Sequence, residues 1–537
     1  MIREELAEAI SRAIGDSFGL KDTKVVVIDG QPGFGDYSTS AAFGLAKVLG
    51  KSPRDIAVAV VAEVKHPAIA RVEAAGNGFI NITLTPAYWQ GRLAAIDPLF
   101  ATNSSGAGQR LQVEFISANP TGPLTLANAR GGFLGDVLGN VLKLSGYNIT
   151  KEYYLNDAGG QVAKLVESAK AEAGLEIAGE RQYRGDYMHD LVEQVPPREY
   201  SDDGALGRAL VTTLTAEIKR AASRLGIEFD EWTSELALVE SGASQRMLKW
   251  LDDQGLRFES EGAVWLASTK LGDERDRVLV RSSGEPSYLL NDLAYHFQIF
   301  TERQFTRAIK IWGADHAGQV SSLKLTAEKF AKHASLDFVL IQFVRLIQDG
   351  REVKMSKRAG TYVTIDELID TLSSSVGERD AAGVARWFFL MRSTDTRLDF
   401  DLQLASDGSR ENPYFYVMYS FARANSILAK AAEQGLAPSP HSTSLSTAGL
   451  NLVRMMDRLP DVISQVASDF AAHRLTFYGY ELARLFSEYY ESTRIIDLPE
   501  AEAAYQLYVV QQYLVVMRVF WSVMGIVPHE RMERSGS

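Results

Sequence analysis

The chain has no cysteine among its 537 residues, which excludes disulfides, thiolate zinc sites and a cysteine nucleophile. No uninterrupted apolar run reaches the roughly 18 residues that a membrane-spanning helix needs. The opening Met1-Ile-Arg-Glu-Glu-Leu6 lacks the apolar centre of a secretory signal. The expectation is a cytosolic protein with no membrane partner. Positive charge is in deficit: 56 Lys and Arg against 68 Asp and Glu leave a net charge of −12. That argues against a diffuse basic coat for nucleic acid, though a local basic groove is still allowed. What remains is ordinary for a globular chain, with 46% hydrophobic and 23% charged residues. The length is that of about three domains.

Pattern divides the chain at two places. Residues 1–105 read as an α+β unit. It has helices over 1–18, 40–49 and 55–64, a strand at 24–28, and an alternating half-buried strand over 76–84. A small, polar stretch at 101–108 is the best linker in the sequence. Residues 109–400 alternate strands and helices, with strands expected at 111–116, 277–281, 308–312 and 338–343. This predicts a parallel, doubly wound, Rossmann-like sheet, interrupted by a helical, charged insertion at about 155–255. Residues 401–537 have helical periodicity almost throughout and read as a helical bundle. The fold class expected is therefore multidomain α/β plus all-α.

Two stretches carry the chemistry. One is Ser117-Ala-Asn-Pro-Thr-Gly-Pro-Leu-Thr125-Leu-Ala-Asn128, which follows an apolar strand and opens a long amphipathic segment. A tight Pro/Gly turn there leaves the first helical N–H groups unpaired, which makes an anion site. The other is Lys354-Met-Ser356-Lys357-Arg-Ala-Gly360, a Lys/Ser/Gly loop suited to gripping phosphates as charge moves in a transition state. Alone, either string marks only a solvated loop. Together they resemble the two ATP-binding motifs of the class I aminoacyl-tRNA synthetases, and the surrounding residues resemble the arginyl-tRNA synthetase family.

The resemblance implies an ATP-dependent arginine–tRNA ligase. It would use ATP with Mg²⁺, form arginyl-adenylate and pyrophosphate, and pass arginine to the 3′ end of its tRNA as a monomer. Family members usually need bound tRNA to activate arginine. The resemblance makes Lys354, Ser356 and above all Lys357 the groups at the leaving phosphates. Gly313, Asp315 and His316, in Trp312-Gly-Ala-Asp315-His316, would contact the adenosine. For arginine, the family pattern matches Glu114, Ser117, Asn119 and Gln319. It also matches Tyr288 and Asp292, which are one helical turn apart and suited to a planar guanidinium. Tyr153-Tyr-Leu-Asn156-Asp157 matches the family with no chemistry assigned.

The chain departs from the family at the first motif. Where the family has His-x-Gly-His, this sequence reads Thr125-Leu-Ala-Asn128. Thr125 keeps a hydroxyl donor and Asn128 an NH₂ donor, but neither carries charge. A working variant is expected. A non-catalytic RNA-binding relative, or a ligase with a different acceptor, is also compatible with these residues.

The two ends suggest RNA. Tyrosine is concentrated in residues 401–537, and the basic residues there are nearly all arginine; both side chains stack on exposed bases. Tyr419, Arg423, Arg474 and Tyr478 are the candidates in what resembles the family's anticodon-binding domain. Residues 1–105 resemble its N-terminal domain, in which Phe79 and Asn81 match positions used against a tRNA base. Phenylalanine keeps the stacking of the tyrosine found in some members and loses its hydroxyl.

Overall fold

The computed structural model describes residues 2–31, 33–331, 333–353, 363–441 and 444–532. The chain forms two compact units, residues 1–97 with 430–457 and 488–512, and residues 98–429 with 458–487 and 513–537.

In the first unit a four-stranded antiparallel sheet runs Ile28–Asp29, Tyr37–Thr39, Phe79–Leu84, Ile69–Ala75. Helices Ile2–Phe18 and Pro53–Glu63 bring buried Leu6, Ile10, Ile14, Ile56 and Val60 to its core. The strand expected at 24–28 is shorter, pairing only at Ile28–Asp29. Val26 and Ile28 are exposed there, so apolar β-branched composition alone overstates the pairing.

The second unit is built on a five-stranded, wholly parallel sheet. Its order is Ser335–Ile341, Arg307–Gly313, Arg110–Glu114, Asn148–Leu155, Glu231–Ser234. The first strand in sequence, Arg110–Glu114, lies at the centre. The chain winds outward from it to one side and then returns to the other. The crevice between Arg110–Glu114 and Arg307–Gly313 is therefore the topological switch point, where ligands bind in doubly wound sheets. Two of these strands carry little signal in the sequence. Asn148–Leu155 has the look of a crossover, and Glu231–Ser234 falls within the stretch expected as insertion. The strand expected at 277–281 forms as Arg277–Val280, but in a separate antiparallel sheet with Arg257–Ser260 and Ala263–Leu266.

Helix Leu126–Leu144 packs flush on the parallel sheet because its contact face is glycine. A Cβ on Gly135 would run into the Phe115 ring, and one on Gly132 would lie 2.9 Å from Ile227 and 3.0 Å from Ile116. This close seat fixes the helix N-terminus at the carboxyl edge of the sheet. Helices Pro413–Glu433, Leu459–Asp469, His473–Ser492 and Glu500–Met524 make up much of the C-terminal region. The last is long and apolar enough to span a bilayer by length and composition, and 67% of its apolar window is buried within the protein.

Candidate functional site

Strand Arg110–Glu114 ends in a strained loop. Ile116 and Ser117 both take left-handed backbone angles, φ 66° and 41°, at a cost of about 1–3 kcal/mol each for residues with a Cβ. Neighbouring side chains hold the strain. The Ser117 hydroxyl donates to Glu114 Oε1 at 2.9 Å and accepts the Tyr154 N–H at 3.1 Å. Tyr153 donates to the Ala118 carbonyl at 2.9 Å, and Tyr187 to that of Thr121 at 2.9 Å. Asn119 sits exposed on this loop.

The loop delivers the chain to Thr125, the N-cap of Leu126–Leu144. Thr125 N–H and Oγ–H both donate to Asn128 Oδ1, each at 2.9 Å. Asn128 thus turns its carbonyl inward as a cap, and among the described residues its NH₂ makes no bond. Lys354, Ser356 and Lys357 lie outside the described residues. The segment that follows them is tied to the first motif: Leu126 N–H donates to the Val363 carbonyl at 3.1 Å, and Ile365 N–H to that of Leu124 at 3.0 Å.

Across the crevice, strand Arg307–Gly313 leads into the turn Ala314–His316. Asp315 and His316 are exposed and 3.7 Å apart, and the His316 ring lies 5.8 Å from that of Trp312. Gln319 is half-buried one turn into Ala317–Phe330. Tyr288 opens helix Tyr288–Phe297 and is 48% exposed, with the half-buried Asp292 one turn further on.

Four carboxylates converge at this edge. Asp157 accepts from Ser234 Oγ at 2.6 Å and from Leu236 N–H at 2.8 Å. Glu235 is buried and accepts from Asn291 Nδ2 at 2.8 Å; burial raises its pKa. Burial, together with Glu114 and Glu235, pushes Asp292 up to about 7. Tyr154 lies among them, its hydroxyl buried with no hydrogen-bond partner among the described residues. Burial, then Glu235, Asp292, Glu114 and Asp157, drives its pKa far above the ordinary phenol value. Such a cluster suits a planar, multidentate cation.

Beneath the edge runs a polar chain that the sequence alone does not announce. Lys310 donates to Glu114 Oε2 at 2.6 Å and to Gln112 Oε1 at 2.8 Å. Gln112 Nε2 donates to Glu152 Oε2 at 2.6 Å, and Arg303 grips Glu152 with both terminal nitrogens, at 2.8 and 2.7 Å. Burial works against ionisation of Glu152, but the Arg303 guanidinium beside it holds the carboxyl down at about 2.

At the ends, Phe79 is 44% exposed with its ring 5.1 Å from that of Phe43. Asn81, expected beside it against the RNA, is buried and accepts from Ser38 Oγ at 2.8 Å; it braces the strand. Arg474 is exposed and pairs with Asp469 at 2.7 Å. Tyr419 and Arg423 are half-buried, and Arg410 stands 5.2 Å over the Tyr419 ring. Tyr478 is buried, whereas Phe477 and Tyr480 on the same helix are exposed. Sequence has no way to rank these three aromatics, because the helical phase is set by packing.

Two family models match the chain, an arginyl tRNA synthetase N terminal domain over residues 1–84 and a DALR anticodon binding domain over residues 417–532. The Arginine--tRNA ligase of Carboxydothermus hydrogenoformans is 37% identical over 528 residues, spanning 93% of this chain and 92% of that protein. The chain belongs to the arginine–tRNA ligase family. Another member, from Heliobacterium modesticaldum, is 36% identical and matches over 99% of both chains. The family fold is shared too. The Thermus thermophilus arginyl-tRNA synthetase structure superposes with a TM-score of 0.81 at 21% identity, covering 99% of this chain and 100% of that one. The Plasmodium falciparum arginyl-tRNA synthetase gives 0.78 at 15% identity over 99% of each.

Proposed function

We propose that the carboxyl edge of the parallel sheet is where this arginine–tRNA ligase activates arginine with ATP and passes it to tRNA. The observation that carries the reading is convergence at one switch point. A capped helix N-terminus, the Gly313–His316 turn and a four-carboxylate cluster all meet the end of strand Arg110–Glu114.

Arginine lies with its guanidinium toward Asp292 and Tyr288, its α-ammonium toward Glu114 and its carboxylate toward Asn119. Ser117 holds Glu114 in place, and Gln319 completes the pocket wall. ATP lies across the crevice, its adenosine on Gly313, Asp315 and His316. Its phosphates face the helix N-terminus and the Asn128 amide. The arginine carboxylate forms a bond to the α-phosphorus while the bond to the pyrophosphate oxygen breaks. Charge then accumulates on the leaving phosphates, where Lys354, Ser356 and Lys357 stabilise it. No side-chain nucleophile is needed. The terminal tRNA hydroxyl next attacks the arginyl carbonyl and releases AMP.

Mg²⁺ would be held mainly by the phosphates of ATP, where it would offset their negative charge. Among the described residues no three His, Asp or Glu side chains gather as metal ligands. On the tRNA side, Phe79 offers a stacking face with Asn81 fixing its strand. Tyr419, Arg423, Arg474 and the helix of Tyr478 supply the anticodon-side surface. The test is acid-precipitable arginyl-tRNA from ATP, tRNA and labelled arginine. Arginine should be accepted and lysine refused; equal incorporation of both, or of neither, would contradict the reading.

A further inference from the structure

We propose that Lys310 is a positioning residue for the substrate's α-ammonium group, acting through Glu114. The proposal rests on the reading that Glu114 receives that ammonium. Lys310 is fully buried in the middle of a parallel sheet, a place that ordinarily takes Val, Ile or Leu. Removing a lone ammonium from water is costly, and a buried ion pair can often be replaced by apolar residues without loss of stability. Packing alone therefore gives no reason for a lysine here; the geometry of its partner does.

Lys310 and Glu114 are register partners on adjacent parallel strands, so their side chains stand side by side. The ammonium spends its donors on Glu114 Oε2 at 2.6 Å and Gln112 Oε1 at 2.8 Å, and lies 4.4 Å over the Tyr295 ring. Tyr295 in turn donates to Glu152 Oε1 at 2.7 Å, which joins Lys310 to the Arg303–Glu152 pair. Two hydrogen bonds and the ring contact thus hold the cation against Glu114. Its effect leaves the network through one group, the Glu114 carboxylate at the sheet edge.

Glu114 has four lone-pair directions. Ser117 takes one at Oε1 and Lys310 one at Oε2, which sets the plane of the carboxylate and leaves the remaining directions for an incoming ammonium. Glu114 also shares its pocket with Asp292 and Glu235. A buried cation at its back offsets the repulsion among those like charges.

The test uses the full-length enzyme and two inhibitors competing with arginine. Agmatine keeps the amine and lacks the carboxylate; the α-hydroxy analogue of arginine keeps the carboxylate and lacks the amine. Lys310→Met should raise the KM for arginine and the inhibition constant of agmatine at least tenfold. The KM for ATP and the inhibition constant of the hydroxy analogue should stay within about twofold. Lys310→Arg should restore part of the loss, and adding Lys310→Met to Glu114→Gln should cost little more than Glu114→Gln alone. If Lys310→Met and the milder Lys310→Gln weaken both inhibitors equally, or their effects multiply with that of Glu114→Gln, Lys310 is merely structural and the proposal falls. If Glu114→Gln itself leaves agmatine binding unchanged, the underlying reading of Glu114 is what has failed, and the proposal goes with it.

Discussion

Thr125 and Asn128 spend their polarity on each other: the Thr125 backbone N–H and hydroxyl both end on Asn128 Oδ1. The pair is thus first a helix cap, and among the described residues the Asn128 amide NH₂ is left unbonded, the donor that the proposed function gives to phosphate. Asn128→Asp keeps the cap acceptor and removes that donor. Melting temperature should be unchanged while pyrophosphate exchange falls roughly 10²-fold. Asn128→Ala loses both, adding a stability cost of about 1 kcal/mol. If the site works with a neutral donor, installing histidine at both positions should leave turnover within several-fold.

With the guanidinium placed as proposed, Asp292 should link arginine binding to pH. Its carboxyl titrates at about 7, and the guanidinium needs it ionised. The KM for arginine should therefore rise as pH falls below 7, by up to about tenfold per pH unit. The folded-state pKa lies above the ordinary 3.8, so the stabilising influence of the protonated form is complete below that value and is lost as pH rises through 7. Asp292→Asn should accordingly be more stable than wild type at pH 8, by on the order of 2 kcal/mol, and melt higher, while losing arginine affinity. A variant that melts lower at pH 8 would contradict this.

Glu152 is the reverse case. Arg303 holds it at about 2, below the ordinary 4.5. Its contribution is present above pH 4.5 and disappears as pH falls toward 2. Arg303→Met strands a buried carboxylate and should cost about 3–5 kcal/mol at neutral pH. Adding Glu152→Gln should recover most of that loss, as chemical denaturation would show.

The exposed Phe477 and Tyr480, with the Tyr416 ring 5.0 Å from that of Tyr480, present a stacking surface. Alanine at either should raise the KM for tRNA about tenfold, a stacking loss of about 1–3 kcal/mol, without changing the melting temperature. Tyr478→Ala should instead destabilise the protein by about 3–5 kcal/mol, because that ring is buried 6.1 Å from Phe520.

Much of the candidate site was legible because its residues sit at chain landmarks. Thr125 follows a Pro/Gly turn, Gly313 ends an apolar strand, and Tyr288 and Asp292 share one helix face. What escaped was the polar chain beneath. Gln112, Glu152 and Lys310 are scattered over three strands that pair across long sequence gaps, and each alone looks like a solvated side chain. The alternation of Gln112 and Glu114 with Leu111 and Val113, and Lys310 within an apolar run, were local signs that a buried face carried charge. Glu231–Ser234 escaped for a similar reason. Four residues between helices show little period, and only pairing with Asn148–Leu155 makes them a strand.

The most direct measurement is arginine-dependent exchange of pyrophosphate into ATP, with and without cognate tRNA. Exchange that appears with tRNA and is absent without it is the predicted result; it would establish adenylation at a first motif that has no histidine. No exchange under either condition, from protein that still binds tRNA, would contradict the account.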